Sequence, residues 1–244
     1  MHHFFVPPAN IQNGEAHLSP EIAHQLRNVL RMRPGDDIIL LDNSGAAWRA
    51  SIMTLDKKSA RCTLHEAIVI PGEPRAHLTL YCGLPKKDKF EWILQKGTEV
   101  GVGRFVPLIT ARTVNAGQVS DNKQARWERI ITEAAEQARR ARMPELSAPQ
   151  TFEDALAALP DSALSLIAYA ADTNAPTLRE SLQGLITPPQ HLALFIGPEG
   201  GFTADEVHTA ETFGAGRISL GARVLRTETA AIVAAALILH ELDS

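Results

Sequence analysis

Two hydrophobic rhythms run along the chain. Up to about Val69 the apolar positions form short runs that predict strands at Ile38 to Leu41, Trp48 to Leu55 and Ala60 to Val69. Polar turn chemistry separates these runs at Asp42-Asn43-Ser44-Gly45 and Asp56-Lys57-Lys58. Ahead of them, Ser19-Pro20-Glu21 opens a helix, with Ser19 as N-cap and Pro20 at the first helical position. Ile22, Leu26, Val29 and Leu30 follow at helical spacing on one face, and Arg33-Pro34-Gly35-Asp36 stops the helix. The prediction is a small, mainly β domain with one helix. Ile70-Pro71-Gly72-Glu73-Pro74 breaks any element, so the expected domains are 1–72 and 73–244.

From His77 onward, short apolar runs alternate with longer amphipathic segments. Strands are expected at Leu78 to Cys82, Phe105 to Ile109, Leu164 to Ala168, Leu192 to Ile196 and Ile218 to Leu220. Helices are expected at Asp88 to Val100, with Phe90, Ile93, Leu94 and Gly97 on one side, and at Asp121 to Arg142. The stripe of the second is Trp127, Ile130, Ile131, Ala134 and Ala138. Glu228 to Leu242 is a helix apolar nearly all round, which implies burial against the sheet or a second subunit. Such alternation implies a mainly parallel sheet with helices on both faces, an α/β domain. No internal repeat or low-complexity segment is present.

Composition adds limits. The chain has 244 residues, 45% of them hydrophobic, so it has the material for a packed core. A net charge of −4 argues against a globally basic nucleic-acid coat but leaves local patches open. Cys62 and Cys82 lack metal or redox spacing and read as small buried hydrophobes. No apolar run reaches transmembrane length, and Met1-His2-His3-Phe4-Phe5 does not begin a signal peptide, so the expectation is a cytoplasmic protein with no membrane association. There is no GxxxxGK, no GxSxG and no HExxH, and Gly101-Val102-Gly103 precedes a strand rather than following one. P-loop, hydrolase and zinc chemistries therefore lack their signatures, and no metal is expected.

Two strand ends carry the candidate chemistry. Leu192 to Ile196 is a continuous apolar run, as in a strand buried on both faces, and it stops at Gly197-Pro198-Glu199-Gly200-Gly201. Thr203-Ala204-Asp205-Glu206 then matches a capping box worth about 1 kcal/mol. Ligands of open α/β sheets lie at such strand ends. A loop meant for phosphate gains nothing from Glu199, because helix N-termini already attract anions and a carboxylate competes with them. The loop therefore suits a ligand with donors or positive charge; equally, its glycines supply positive φ for a tight turn and nothing more. Ile218-Ser219-Leu220-Gly221 repeats the grammar, with Arg223, Arg226, Thr227 and Glu228 at the start of the last helix. These residues also read as an N-cap, a dipole partner and a local ion pair.

Gly197-Pro198-Glu199-Gly200-Gly201, Leu220-Gly221 and Leu225-Arg226-Thr227-Glu228-Thr229-Ala230 resemble the carboxyl-terminal motifs of the SPOUT methyltransferases. Gln95-Lys96-Gly97-Thr98-Glu99-Val100-Gly101, Glu133-Ala134-Ala135-Glu136-Gln137 and Val29-Leu30-Arg31 resemble upstream motifs of those members that make N3-methyluridine in 16S rRNA, so the resemblance spans nearly the whole chain. It implies a PUA-like β-barrel that binds RNA, followed by a knotted α/β domain. It also implies S-adenosylmethionine as cofactor, a homodimer with sites built from both subunits, and the small ribosomal subunit as partner. By position, Ile196, Gly197, Gly201, Leu220, Gly221, Leu225 and Thr229 would line the cofactor pocket, with Tyr169, Ala170 and Ala171 as its third wall. A sulfonium with an ammonium group and no phosphate matches a glutamate-bearing loop. The family often has an arginine near the amino terminus where this chain has His2-His3.

For the reaction, Glu199 and Glu228 are candidate bases for the uracil N3 proton, with loss through water or substrate as the alternative. Arg226 is the candidate for stabilising charge on the uracil oxygens. Expected RNA contacts are Arg27, Arg31 and Arg33 at one helix end, Arg139 and Arg140 beside Arg142 at another, and Lys96 and Arg112. Either arginine cluster also reads as a complement to a helix carboxyl end. The competing expectations are a related enzyme acting on another RNA or on ribose 2′-oxygen, and a non-catalytic RNA-binding or ribosome-assembly factor.

Overall fold

The structure, a computed structural model, describes residues 1–86, 88–113, 119–160, 162–172, 174–183, 185, 187 and 189–243. The chain forms two compact units, Met1–Glu73 with Thr132–Met143, and Pro74–Ile131 with Pro144–Ser244.

The first unit is a six-stranded sheet made of β1 (His3–Phe5), β2 (Ile11–Gln12), β3 (Glu15–Leu18), β4 (Asp37–Leu41), β5 (Ala47–Leu55) and β6 (Ala60–Ile68), in the order β1-β4-β5-β6-β3-β2. All pairs are antiparallel except β1 with β4. The helix α1 (Pro20–His24) starts as expected, with the Ser19 hydroxyl accepting the N–H of Ile22 at 3.3 Å. It then runs into a π turn, Gln25–Val29, in which Leu30 donates to the Gln25 carbonyl. That extra residue rotates Val29 outward to 65% exposure while Leu26 is fully buried, which corrects its placement on the apolar face. Arg31, at φ +56°, ends the segment ahead of the expected stop.

β4 explains the composition of this unit. Ile38 and Leu40 join one buried cluster with Phe4, Leu18 and Leu26, while Ile39 and Leu41 join another with Phe5, Ala135 and Met143. A strand covered on both faces has no polar alternation. The second cover comes from residues 132–143, which a linear boundary at 72/73 assigns to the other domain. Glu73 anchors that segment: it pairs with Arg140 at 2.7 Å and accepts the N–H groups of Ala141 and Arg142. Burial opposes ionisation of Glu73, but Arg140 and these two N–H groups outweigh it and hold the carboxyl below its usual range. From the turn after β4, the Asn43 side chain accepts the N–H of Met143 at 2.6 Å.

The second unit is an all-parallel seven-stranded sheet. Its strands are β7 (His77–Gly83), β8 (Arg104–Ile109), β9 (Glu145–Leu146), β10 (Gln150–Thr151), β11 (Leu164–Ala168), β12 (His191–Ile196) and β13 (Gly216–Ile218). The order is β10-β8-β7-β12-β11-β13, with β9 also on β8. The helices of the rest of the chain are α2 (Lys89–Val100), α3 (Asp121–Gln137), α4 (Phe152–Ala157), α5 (Leu178–Gln183), α6 (Ala204–Thr212) and α7 (Thr227–Asp243). Gly97 lets α2 lie directly on the sheet, since a Cβ there would come within 2.6 Å of the Phe105 ring. On the sheet, Tyr81 and Phe195 stack at 4.4 Å within a cluster that includes Phe152 and Phe202. α3 ends at Gln137, five residues before the expected end, where Arg139 takes φ +59°. Cys62 and Cys82 are both buried, and burial pushes the Cys62 thiol up to about 12. Among the described residues no helix is long and apolar enough to cross a membrane.

Glu136 accepts the N–H of Phe5 at 3.0 Å within the first unit. Burial pushes its carboxyl up, the Phe5 N–H opposes this and Glu133 adds to it, giving a value of about 7 against an ordinary 4.5. The folded chain therefore favours the protonated form. The stability this group allows is full below about pH 4.5 and is lost as pH rises through about 7. In urea denaturation, a Glu136→Gln variant is expected to gain about 2 kcal/mol over the native chain at about pH 8 and to converge on it at about pH 4. The same difference at both pH values would contradict this reading of Glu136.

Candidate functional site

β12, β11 and β13 are neighbours and parallel, so their carboxyl ends open on the same edge of the sheet. The segments leaving those ends, Tyr169–Asp172, Gly197–Phe202 and Ser219–Thr227, enclose a cavity of about 850 Å³. That volume lies within the ~300–1,000 Å³ of small-molecule sites.

The first glycine loop is built by close backbone approach. β7 pairs with β12 up to Cys82 opposite Ile196, and the next residue is Gly83. A Cβ on Gly83 would lie 2.5 Å from the Pro198 nitrogen, so β7 leaves room for the turn only with glycine there. Within the turn, a Cβ on Gly197 would lie 2.9 Å from the Gly201 carbonyl carbon, and Gly201 itself takes φ +67°. Phe202 then plugs the loop into the core. Thr203 and Glu206 form the expected capping box, with N–H to side-chain distances of 3.1 and 2.8 Å. The other oxygen of Glu206 accepts the N–H of Ala111 at 2.8 Å. Arg112 donates to the carbonyl of Gly200 at 2.6 Å, so the loop after β8 ties down both the glycine loop and the start of α6.

The second loop is set by Ser219, whose N–H donates to the Pro176 carbonyl at 2.8 Å and whose hydroxyl accepts the N–H of Gly221 at 3.2 Å. Gly221 takes φ +102°. Arg226 stands at the cap of α7, its carbonyl accepting the N–H of Ala230 at 2.8 Å, and Thr227 is the first helical residue rather than the cap. One ammonium joins the two loops: Lys89 Nζ lies 3.2 Å from Glu199 and 3.7 Å from Glu228. Glu199 also accepts the N–H of Lys86 at 3.0 Å. Burial works against ionisation of Glu199, but its own N–H, that of Lys86 and the Lys89 ammonium outweigh it, holding the carboxyl below its usual range. Among the described residues Arg226 has no ion pair, and the local pair expected between Arg226 and Glu228 is replaced by Lys89 with Glu228.

The structure brings most of the sequence-predicted residues to this one cavity. Tyr169, Ala170, Ala171, Ile196, Gly197, Glu199, Gly201, Leu220, Gly221, Leu225 and Arg226 line it. Thr229, exposed on the first turn of α7, and Glu228 are not part of its lining. Of the expected RNA contacts, Arg27, Arg31, Arg33 and Arg139 are exposed. Arg140 is not: its 7% exposed side chain is committed to Glu73, so it is a structural residue and leaves the RNA-facing set. Arg112 belongs to the cavity wall, and Lys96 pairs with Glu99 at 2.7 Å. The sequence reading missed Lys89, Gly83 and the bond that Glu206 makes to Ala111 beyond its capping box. The Glu206 clamp and the Gly83 contact join positions 95 and more than 100 residues apart, for which one sequence carries no signal.

Comparison with known proteins adds a family. A model described as an RNA methyltransferase domain matches residues 72–239, and one described as an RNA methyltransferase PUA domain matches residues 18–64. Ribosomal RNA small subunit methyltransferase E of Synechocystis is 37% identical over 239 residues, covering 98% of this chain and 77% of the relative. The Bacillus subtilis protein of the same name is 31% identical, covering 100% of this chain and 98% of the relative. A crystal structure of ribosomal RNA small subunit methyltransferase E from Neisseria gonorrhoeae, bound to S-adenosyl methionine, superimposes with a TM-score of 0.89 at 30% identity, covering 99% of this chain and 98% of that one. A Legionella pneumophila protein in complex with bound S-adenosylmethionine gives a TM-score of 0.85 at 32% identity, over 98% and 97% of the two chains. With one model spanning more than half of the chain and full-length relatives above 30% identity, the chain belongs to the ribosomal RNA small subunit methyltransferase E family of RNA methyltransferases, pairing a PUA-like domain with a parallel-sheet α/β domain.

Proposed function

We propose that this protein transfers a methyl group from S-adenosylmethionine to N3 of a uridine in 16S rRNA of the small ribosomal subunit. The observation that carries the reading is the single cavity formed by three adjacent parallel strand ends and two glycine loops. Family membership, and the cofactor named in the two solved relatives, point the same way.

The cavity's chemistry fits that cofactor. Gly197–Gly201 contains no cation, and the Glu199 carboxylate is balanced by the Lys89 ammonium, so this loop offers backbone groups rather than a phosphate-binding charge. The tight turn at Gly197 and the backbone of Leu220, Gly221 and Leu225 would hold it, with Tyr169 to Ala171 as the third wall. Bound there, S-adenosylmethionine supplies an electrophilic methyl group.

The protein's own groups do the rest. The uracil N3–H is protonated at neutral pH, and its loss leaves negative charge on the ring oxygens. Arg226, on the cavity lining and without an ion pair among the described residues, stabilises that charge. Glu199 is a weak proton acceptor, because its existing bonds favour the carboxylate. Its part in this account is to hold the glycine loop against Lys86 and Lys89. Glu228, off the cavity lining, completes that clamp through Lys89. The N3 proton therefore leaves to water or to the substrate rather than to Glu199.

The exposed Arg27, Arg31, Arg33 and Arg139 supply phosphate contacts in this account. The reading includes a knotted carboxyl-terminal path, cytoplasmic action on the subunit and a homodimer. For the dimer, Val233 and Leu237 present exposed apolar side chains one turn apart on α7, and Trp92 does so on α2.

Small subunits lacking N3-uridine methylation, incubated with the protein and methyl-labelled S-adenosylmethionine, are expected to yield labelled 3-methyluridine on digestion and mass spectrometry. A labelled 2′-O-methyl nucleoside, or none, would overturn the proposal. Arg226→Ala should lower kcat about 100-fold or more while leaving the Kd for S-adenosylmethionine within about threefold; a loss confined to cofactor affinity would remove its catalytic role. Gly83→Ala should weaken S-adenosylmethionine at least about tenfold in calorimetry, since the new Cβ displaces the Pro198 turn. Unchanged affinity would show that the turn moves at no cost.

A further inference from the structure

A second cavity, of about 350 Å³, lies within the first unit and plays no part in the methyl transfer described above. Its lining includes Gln25 and Leu30, the two ends of the stretch that carries the π turn, together with His3 and the end of α3 at Glu136, Gln137 and Arg139. Two arginine-bearing segments that are far apart in sequence thus meet at one cavity. Arg27 lies between Gln25 and Leu30, Arg31 follows, and Arg139 lines the cavity itself.

The lining selects among ligands. Glu133 and Glu136 face the guanidinium of Arg139 and the amino group of Met1 across the cavity, so their charges largely offset and nothing there singles out a free phosphate or other anion. One oxygen of Glu136 is taken by the Phe5 N–H, which leaves the other to accept in the ionised form that prevails above about pH 7. Gln25 and Gln137 each bring an amide with both a donor and an acceptor. Burial, then Arg139, lowers the His3 imidazole, which keeps it neutral near pH 7. A flat, uncharged heterocycle with mixed donors and acceptors matches this set. The exposed Arg27 and Arg31 are available for the phosphates that flank such a group in RNA.

We propose that this cavity receives a second unpaired nucleobase of the RNA substrate, one bearing an exocyclic amino group that donates to Glu136, and that it thereby selects the RNA. The inference rests on the RNA-substrate reading above and extends it: the recognised base is not the methylated uracil, which has no amino group.

Two variants test it. Gln25→Trp fills the cavity and leaves the Glu136 to Phe5 bond in place. Glu136→Gln keeps that bond through its one oxygen and turns an NH₂ group toward the ligand's amino group. Each is expected to weaken binding of the small subunit about tenfold in filter binding, with the Kd for S-adenosylmethionine within about twofold of the native protein. With a benzophenone side chain in place of Gln137, crosslinking is expected at an A, C or G distinct from the methylated uridine. Unchanged subunit affinity in both variants, or a crosslink to uridine, would overturn the proposal. Binding and turnover are read in separate assays: failure of the native protein to methylate RNA would defeat the proposed function, while the binding comparison would still judge the cavity.

Discussion

At the end of β7 no side chain fits between Gly83 and the Gly197-Pro198 backbone. This contact sets the path of the chain as it leaves β12, and the cavity follows from it. The turn closes on itself through Gly197 and Gly201, Phe202 enters the core, and Thr203 starts α6 in a fixed direction. A loop built this way is held by excluded volume and by backbone groups, so its N–H and C=O groups are pre-positioned for a ligand before binding. The neighbouring strand ends at Ala168 and Ile218 add the other walls because the sheet is parallel.

Carboxylates do most of the long-range tying. Glu206 accepts from both Thr203 and Ala111, Glu199 from Lys86 and Lys89, and Glu73 from Arg140, Ala141 and Arg142. Each fixes a loop end by accepting several donors at once, which keeps a partly buried carboxylate satisfied. The same arrangement lowers the basicity of Glu199 and turns a residue with the look of a catalytic base into a clamp. Glu136 is the exception. With one N–H donor, a second carboxylate nearby and a buried setting, its carboxyl stays near 7.

Local chemistry was legible in the sequence, and distance was not. The ends of β4, β8, β11 and β12, the caps at Ser19 and Thr203 and the apolar stripe of α2 follow from spacing alone, whereas β13 ends at Ile218 and the expected strand Ile218 to Leu220 falls mostly in the loop set by Ser219. α4 and α5 were readable by the rule that found α6. Thr151 accepts the N–H of Asp154, and Thr177 and Glu180 form a reciprocal box. β1 to β3 are too short to show a period. Val29 fails the helical stripe because a π turn shifts the phase by one residue, and no periodicity argument contains that shift. Most of the cavity lining follows from the two glycine loops and the family resemblance. Lys89 with Glu199, Glu73 with Arg140, and Gly83 with Pro198 join positions 67 or more residues apart and exist only in the folded chain.

The central claim is that three strand ends and their two glycine loops make one cofactor cavity. A crystal structure of this protein soaked with S-adenosylmethionine tests it most directly. The account predicts density between Tyr169–Ala171, Gly197–Gly201 and Leu220–Arg226, with Gly83 still packed against Pro198 as it is here. Cofactor bound elsewhere, or bound here only after the Gly197–Gly201 turn has moved off Gly83, would contradict it.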